Sequence, residues 1–172
     1  MLIFTSCNKG PDYIKDCVNP QLGMIYTLLP VDSGDVVELR FIDPDGEGGE
    51  EPIITTSDLM ANTIYTGGIS ILNESEIPAE DWTSEILEEG ADHQFFYISS
   101  GADLTFEYTD ADDNGNPIGI LTTLTTGEAG SGNLMIVLQY HLNKNADGVT
   151  SGDISNAGGE TDIEVVFPIT IQ

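Results

Sequence analysis

From Leu22 onward, apolar and polar side chains alternate with a period of two. Val37, Leu39 and Phe41 are separated by Glu38 and Arg40, and Leu104, Phe106 and Tyr108 by Thr105 and Glu107. Leu134, Ile136, Leu138 and Tyr140 form a third run, and Ile163, Val165, Phe167, Ile169 and Ile171 the longest. Successive side chains of a strand point to opposite faces, so each run predicts a strand with one buried face. Further strands are predicted over 22–30, 53–57, 62–72, 94–99 and 117–126, separated by Gly, Asp and Asn clusters. About eight short strands so spaced predict a mostly β chain folded as a β-sandwich. Pro168 has no N–H to give a ladder, so the last strand is expected at a sheet edge or interrupted there.

Two local patterns refine this. Leu59, Ala61, Thr63, Tyr65, Gly67 and Ile69 recur at every second position. The stretch resembles the surroundings of the tyrosine corner of immunoglobulin-like and fibronectin-type domains, where a Tyr hydroxyl bonds backbone at a sheet crossing. The resemblance implies an immunoglobulin/fibronectin-like sandwich. One short helix is expected near 78–89. Pro78 suits a first helical position, Glu80 and Asp81 suit the positive end of the dipole, Trp82 and Ile86 share a face, and Gly90 offers a left-handed stop.

The chain ahead of these strands has a different character. Leu2-Ile3-Phe4-Thr5-Ser6-Cys7 reads as the end of a bacterial lipoprotein signal, clipped at its start, with Cys7 as the lipidated residue. Residues 8–20 are polar, with Gly10, Pro11, Asn19 and Pro20 and no apolar period, and read as a flexible tether. Residues 21–172 then make one domain. With Cys7 acylated, Cys17 is a lone thiol in the tether and no disulfide framework is expected.

Charge narrows the partners. Thirty acidic residues against four basic ones give a net charge of −26, which argues against nucleic acid and against direct docking on anionic lipid. No apolar run approaches the length of a transmembrane helix. A membrane partner is therefore expected through the lipid anchor.

Two acidic loops are candidate calcium sites. Asp110, Asp112 and Asn114, followed by Gly115, match the opening of a calcium loop, in which alternate oxygen side chains converge on a hard cation while Gly turns the chain. An EF-hand is excluded because Leu121 stands where its bidentate Glu would be. Asp43, Asp45 and Glu47 make a poorer version. Asp, Asn and Gly also build tight turns without any metal, so an acidic hairpin turn is the alternative for both. His93, after Glu88, Glu89 and Asp92, could join a transition-metal site if His141 approaches, or simply cap a helix end. The chain has no nucleophile elbow, no H-E-x-x-H, no P-loop and no dinucleotide fingerprint, so the expected activity is not enzymatic.

Several phrases together resemble a known family. Phe41-Ile42-Asp43-Pro44-Asp45-Gly46, Ala61-Asn62-Thr63-Ile64-Tyr65-Thr66-Gly67, Leu72-Asn73-Glu74-Ser75, His93-Gln94-Phe95-Phe96 and Gly158-Gly159-Glu160-Thr161-Asp162 are similar to small outer-membrane lipoproteins of Bacteroidota labelled "type 1 periplasmic binding fold superfamily". The resemblance implies an outer-membrane location and a role beside a TonB-dependent receptor. Its label implies a doubly wound α/β fold, whereas the residues of this chain predict strands. The expected function is a lipid-anchored envelope binding module of unknown ligand, with a calcium-stabilised adhesion or structural module as the alternative.

Overall fold

The period-two runs become strands where their apolar set faces inward, and the register of pairing decides the layers. In the computed structural model, residues 21–46, 49–75 and 77–172 are described. Cys7, the 8–20 tether and Glu47 of the second acidic loop lie outside the described residues. The strands are β1 (Leu22–Pro30), β2 (Val37–Asp43), β3 (Ile53–Thr56), β4 (Ile64–Asn73), β5 (Glu80–Asp81), β6 (His93–Ser100), β7 (Leu104–Tyr108), β8 (Leu121–Thr126), β9 (Gly130–Tyr140) and β10 (Glu160–Ile171). One sheet runs β3-β2-β1-β4-β8-β7, with β5 added to the end of β4; the other runs β10-β9-β6. All of these strand pairs are antiparallel.

The two sheets enclose the core as a β-sandwich. Met24, Tyr26 and Leu28 of β1, Leu39 of β2, Tyr65 and Ile71 of β4 and Leu124 of β8 meet Phe95, Leu134, Ile136 and Phe167 of the smaller sheet. All five alternate apolar residues of β10, from Ile163 to Ile171, are buried. Burying an aliphatic or aromatic side chain contributes about 1.5–3 kcal/mol, so this alternation is the main determinant of register. Pro168 sits on β10, an edge strand, opposite Asn133. That is where a residue without an N–H is tolerated. Tyr65 is fully buried, and its hydroxyl accepts the Met60 N–H at 2.8 Å, a tyrosine-to-upstream-backbone bond at the start of β4.

The outer face of the smaller sheet is also covered. Phe96 and Val137 point away from the main core and pack with Leu142, Val149 and Ala157. The cover is the β9–β10 connection, which carries two short 3-10 turns, Val149–Ser151 and Ile154–Asn156. Residues 93–97 of β6 are therefore buried without alternation.

The helix differs from the expectation. It spans Thr83–Glu88, not 78–89. Glu80 and Asp81 pair with Asn73 and Leu72 as β5, and Pro78 follows a cis peptide bond outside the helix. Pairing with a long strand outcompetes a local helix signal because it satisfies backbone groups that a frayed first turn would leave open. Asp81 still acts at the start of the helix, accepting the Thr83 N–H at 2.9 Å. Gly90 is not left-handed; its absent side chain makes room for Ile118, whose Cδ1 would lie 2.6 Å from a Cβ there. The strand predicted from 117 begins at Leu121. Residues 117–120 are buried but bond singly to the two sheets, Phe95 N–H to Ile118 O and Ile69 N–H to Ile120 O.

Candidate functional site

The loop between β7 and β8 carries the stronger acidic motif, and its carboxylates turn inward on backbone. Asp110 accepts the N–H groups of Gly119 at 2.8 Å and Leu121 at 2.9 Å, one on each oxygen. Asp112 Oδ1 accepts those of Asn114 and Asn116, both at 2.9 Å, while Gly115 takes a φ of +83° to close the turn. Asn114 supplies its N–H to this turn and is exposed.

Asp112 Oδ2 meets a cation that belongs to the chain. Lys144 Nζ lies 3.1 Å away and also donates to the carbonyls of Gly90 at 2.5 Å and Pro117 at 2.8 Å. An ammonium has three protons, and here each finds an oxygen. The side chains of Lys144 and Asp112 are only 3% and 2% exposed. A buried pair is favourable only when its remaining bonds are satisfied, which the two carbonyls and two N–H groups accomplish. Burial pushes the Asp112 carboxyl up, but the Asn116 N–H, Lys144 and the Asn114 N–H outweigh it and hold the group below the usual carboxylate range. Burial likewise pulls Lys144 below the ordinary lysine value, offset only in part by Asp112, Asp110 and Asp92. A shallow depression of about 370 Å³ adjoins this pair, walled by Leu87, Glu88, Ala91 and Asp113.

The second motif also serves turns. Asp43 accepts the Gly46 N–H at 2.8 Å, and the Asp45 carboxylate accepts the Glu50 N–H at 2.9 and 3.0 Å. Among the described residues, no three or more His, Cys, Asp and Glu side chains are grouped so as to hold a metal.

The two histidines come together around one ring. His93 stacks on Tyr140 at 4.7 Å between centroids, and Tyr140 stacks on His141 at 3.8 Å. His93 Nδ1 lies 3.2 Å from the carbonyl of Glu89, the residue that caps the helix, and Nε2 lies 3.6 Å from Asp162. His93 thus closes the helix end, while His141 stands exposed at a φ of +52° just past β9.

A third place was not visible as a site in the sequence. β6 and β7 are edge strands of opposite sheets, and between them, with residues 151–152 at one side, lies a pocket of about 260 Å³. Its rings are Tyr97, Phe106 and Tyr108; its remaining hydroxyls come from Ser99, Thr105 and Ser151. Tyr97 and Phe106 stack at 4.9 Å, and Tyr97 and Tyr108 meet at 6.4 Å. Four of the hydroxyls donate to backbone carbonyls: Tyr97 to Gly119 at 2.6 Å, Tyr108 to Phe95 at 2.8 Å, Ser99 to Ala102 at 2.6 Å and Ser151 to Gly148 at 2.8 Å. Behind Tyr108, the buried Gln94 donates to Val149 O at 2.8 Å, and its Oε1 has no partner. Burial pushes the Tyr108 hydroxyl up to about 12, against the Gln94 hydrogen bond and with the help of the Asp110 charge. Tyr97 is raised well above the ordinary value, chiefly by burial and then by Tyr26, Tyr108 and Asp110.

Sequence reading missed Lys144, Gln94 and the pocket. The one signal for Lys144 is scarcity: it is one of four Lys and Arg residues in the chain. Phe106 and Tyr108 read correctly as inward-facing strand residues, and period alone does not say that an edge leaves their rings reachable. Comparison with protein-family models, curated proteins and solved structures finds no match to the chain.

Proposed function

We propose that this protein is a lipid-anchored, non-enzymatic binding module of the cell envelope. An acyl group on Cys7 holds an immunoglobulin-like sandwich at the outer membrane, where it serves a TonB-dependent uptake receptor. The observation that carries this reading is the run Leu2-Ile3-Phe4-Thr5-Ser6-Cys7 ahead of a chain with a net charge of −26. Such a charge is repelled by an anionic bilayer, so attachment needs a covalent device. The receptor follows from the resemblance to Bacteroidota lipoproteins.

The immunoglobulin-like assignment is supported by strand order. β1-β4-β8-β7 against β6-β9-β10 is the four-plus-three order of a constant-type domain, with β2 and β3 as an added hairpin beside the first strand. Polarity supports the binding role. Leu22 enters the larger sheet opposite Asn73, whereas Leu104 pairs with Thr126 near the opposite end, where Tyr65 faces Pro30. β1 spans roughly 27 Å at strand rise, so the Leu104 end of the aromatic pocket points away from an anchored N-terminus.

Mass spectrometry of the protein made from its native gene tests the anchor. The expected product begins at Cys7 with a diacylglyceryl thioether. An unmodified Cys7 thiol on a protein that retains residues 1–6 overturns the reading.

A further inference from the structure

We infer that the aromatic pocket between β6 and β7 binds the head of a weakly hydrated organic cation, an alkylammonium or guanidinium group. This names a ligand class for the binding role proposed above and rests on that role, though not on the anchor. The pocket's lining contains no charged side chain, in a chain with 30 acidic residues. A small hard cation such as calcium requires several anionic oxygens and would gain little there. An anion is repelled by the whole molecule.

What the lining offers is rings and lone pairs. The half-buried Phe106 and Tyr108 bring ring surface to the pocket, where π-systems attract a cation, and Tyr97, packed on Tyr26 at 5.4 Å and on Phe106 at 4.9 Å, backs them. The hydroxyls of Tyr97, Tyr108, Ser99 and Ser151 have spent their protons on backbone carbonyls, so they offer a ligand no donor. A ligand there must bring donors or positive charge. The Asp110 charge acts on both tyrosines although Asp110 does not line the pocket, so the local field is negative there. The volume of about 260 Å³ falls just below the usual ligand-pocket range of about 300–1,000 Å³, so the site takes a head group and leaves the rest of its bearer outside. That bearer is either a free amine or a basic side chain of a partner protein.

The test is NMR titration of the full chain at constant ionic strength, with tetramethylammonium as the probe and methyl glucoside as a neutral control. Saturable shifts are expected at Tyr97, Phe106, Tyr108 and Gly152 with tetramethylammonium. Phe106→Leu should weaken binding about tenfold. Ser151→Lys, an exposed change at the mouth, should abolish it while leaving the remaining spectrum folded. Spermidine and a short Arg-containing peptide then identify the bearer, the first binding alone if it is a free amine and the second binding more tightly if it is a partner's side chain. Shifts that spread over the acidic surface without saturating, equal shifts with methyl glucoside, or an indifferent Ser151→Lys would each overturn the assignment. Acylation of Cys7 is read separately by mass, so either result leaves the other standing.

Discussion

Lys144 places a scarce positive charge where it cannot be replaced by solvent. Its ammonium joins the turn after the helix at Gly90, the β7–β8 loop at Asp112 and Pro117, and its own segment after β9. Lys144→Ala is expected to cost about 3–5 kcal/mol, because it leaves a buried carboxylate and two buried carbonyls without their partner. Urea unfolding, read as a lower midpoint at unchanged slope, measures this. The acid limb follows from Asp112. Its carboxyl is held below the usual range in the folded protein, so the unfolded chain binds that proton first and the stabilisation is lost as pH falls through the folded value. Stability measured by urea from pH 6 downward should therefore fall less steeply in Asp112→Asn than in the parent. Lys144, also depressed in the folded protein, has the same sign in a higher window: the unfolded chain holds that proton longer, so this group adds stability as pH rises through its folded value. Asp112 was legible in the sequence as a turn former, since Asp before Asn and Gly makes such turns. Its partner was not, because 32 residues separate them and no local pattern links them.

At the scale of elements, the period of two carried most of the information. β1 runs over residues 22–30 as predicted, and the inward sets of β2 and β10, with Leu134, Ile136 and Leu138 of β9, are residues that the alternation marks, whereas Tyr140 at the end of β9 is only half-buried. Two of the misreadings share one cause. Glu80, Asp81 and residues 117–120 are governed by tertiary pairing with β4 and β6, which a local signal does not contain. β9 offers a sharp test of packing. A Cβ on Gly132 would run into the backbone of the β6–β7 turn at Ser100, Gly101 and Ala102, whereas one on Gly130 would meet only the Glu128 carbonyl, at 4.0 Å. Gly132→Ala is expected to destabilise by about 3 kcal/mol, the upper end for overpacking, because backbone on both sides must shift. Gly130→Ala should stay within about 0.5 kcal/mol. Thermal melting of the two variants side by side decides whether the turn presses on β9 as described.

For the whole molecule, charge is the dominant surface property. A net charge of −26 on a chain of 172 residues repels itself, and the repulsion is greater in the compact state than in the extended one. Sodium chloride should therefore raise the melting temperature between about 0.02 and 0.5 M, as the Debye length falls from tens of ångströms to a few. The same repulsion separates body from bilayer and gives Cys7 its importance in the proposed function. Membrane fractionation of cells producing the parent and Cys7→Ser from the native gene tests that role most directly. The parent should sediment with the outer membrane and resist a high-salt wash, while Cys7→Ser appears in the soluble fraction. Equal distribution of the two proteins would contradict a lipid-held module.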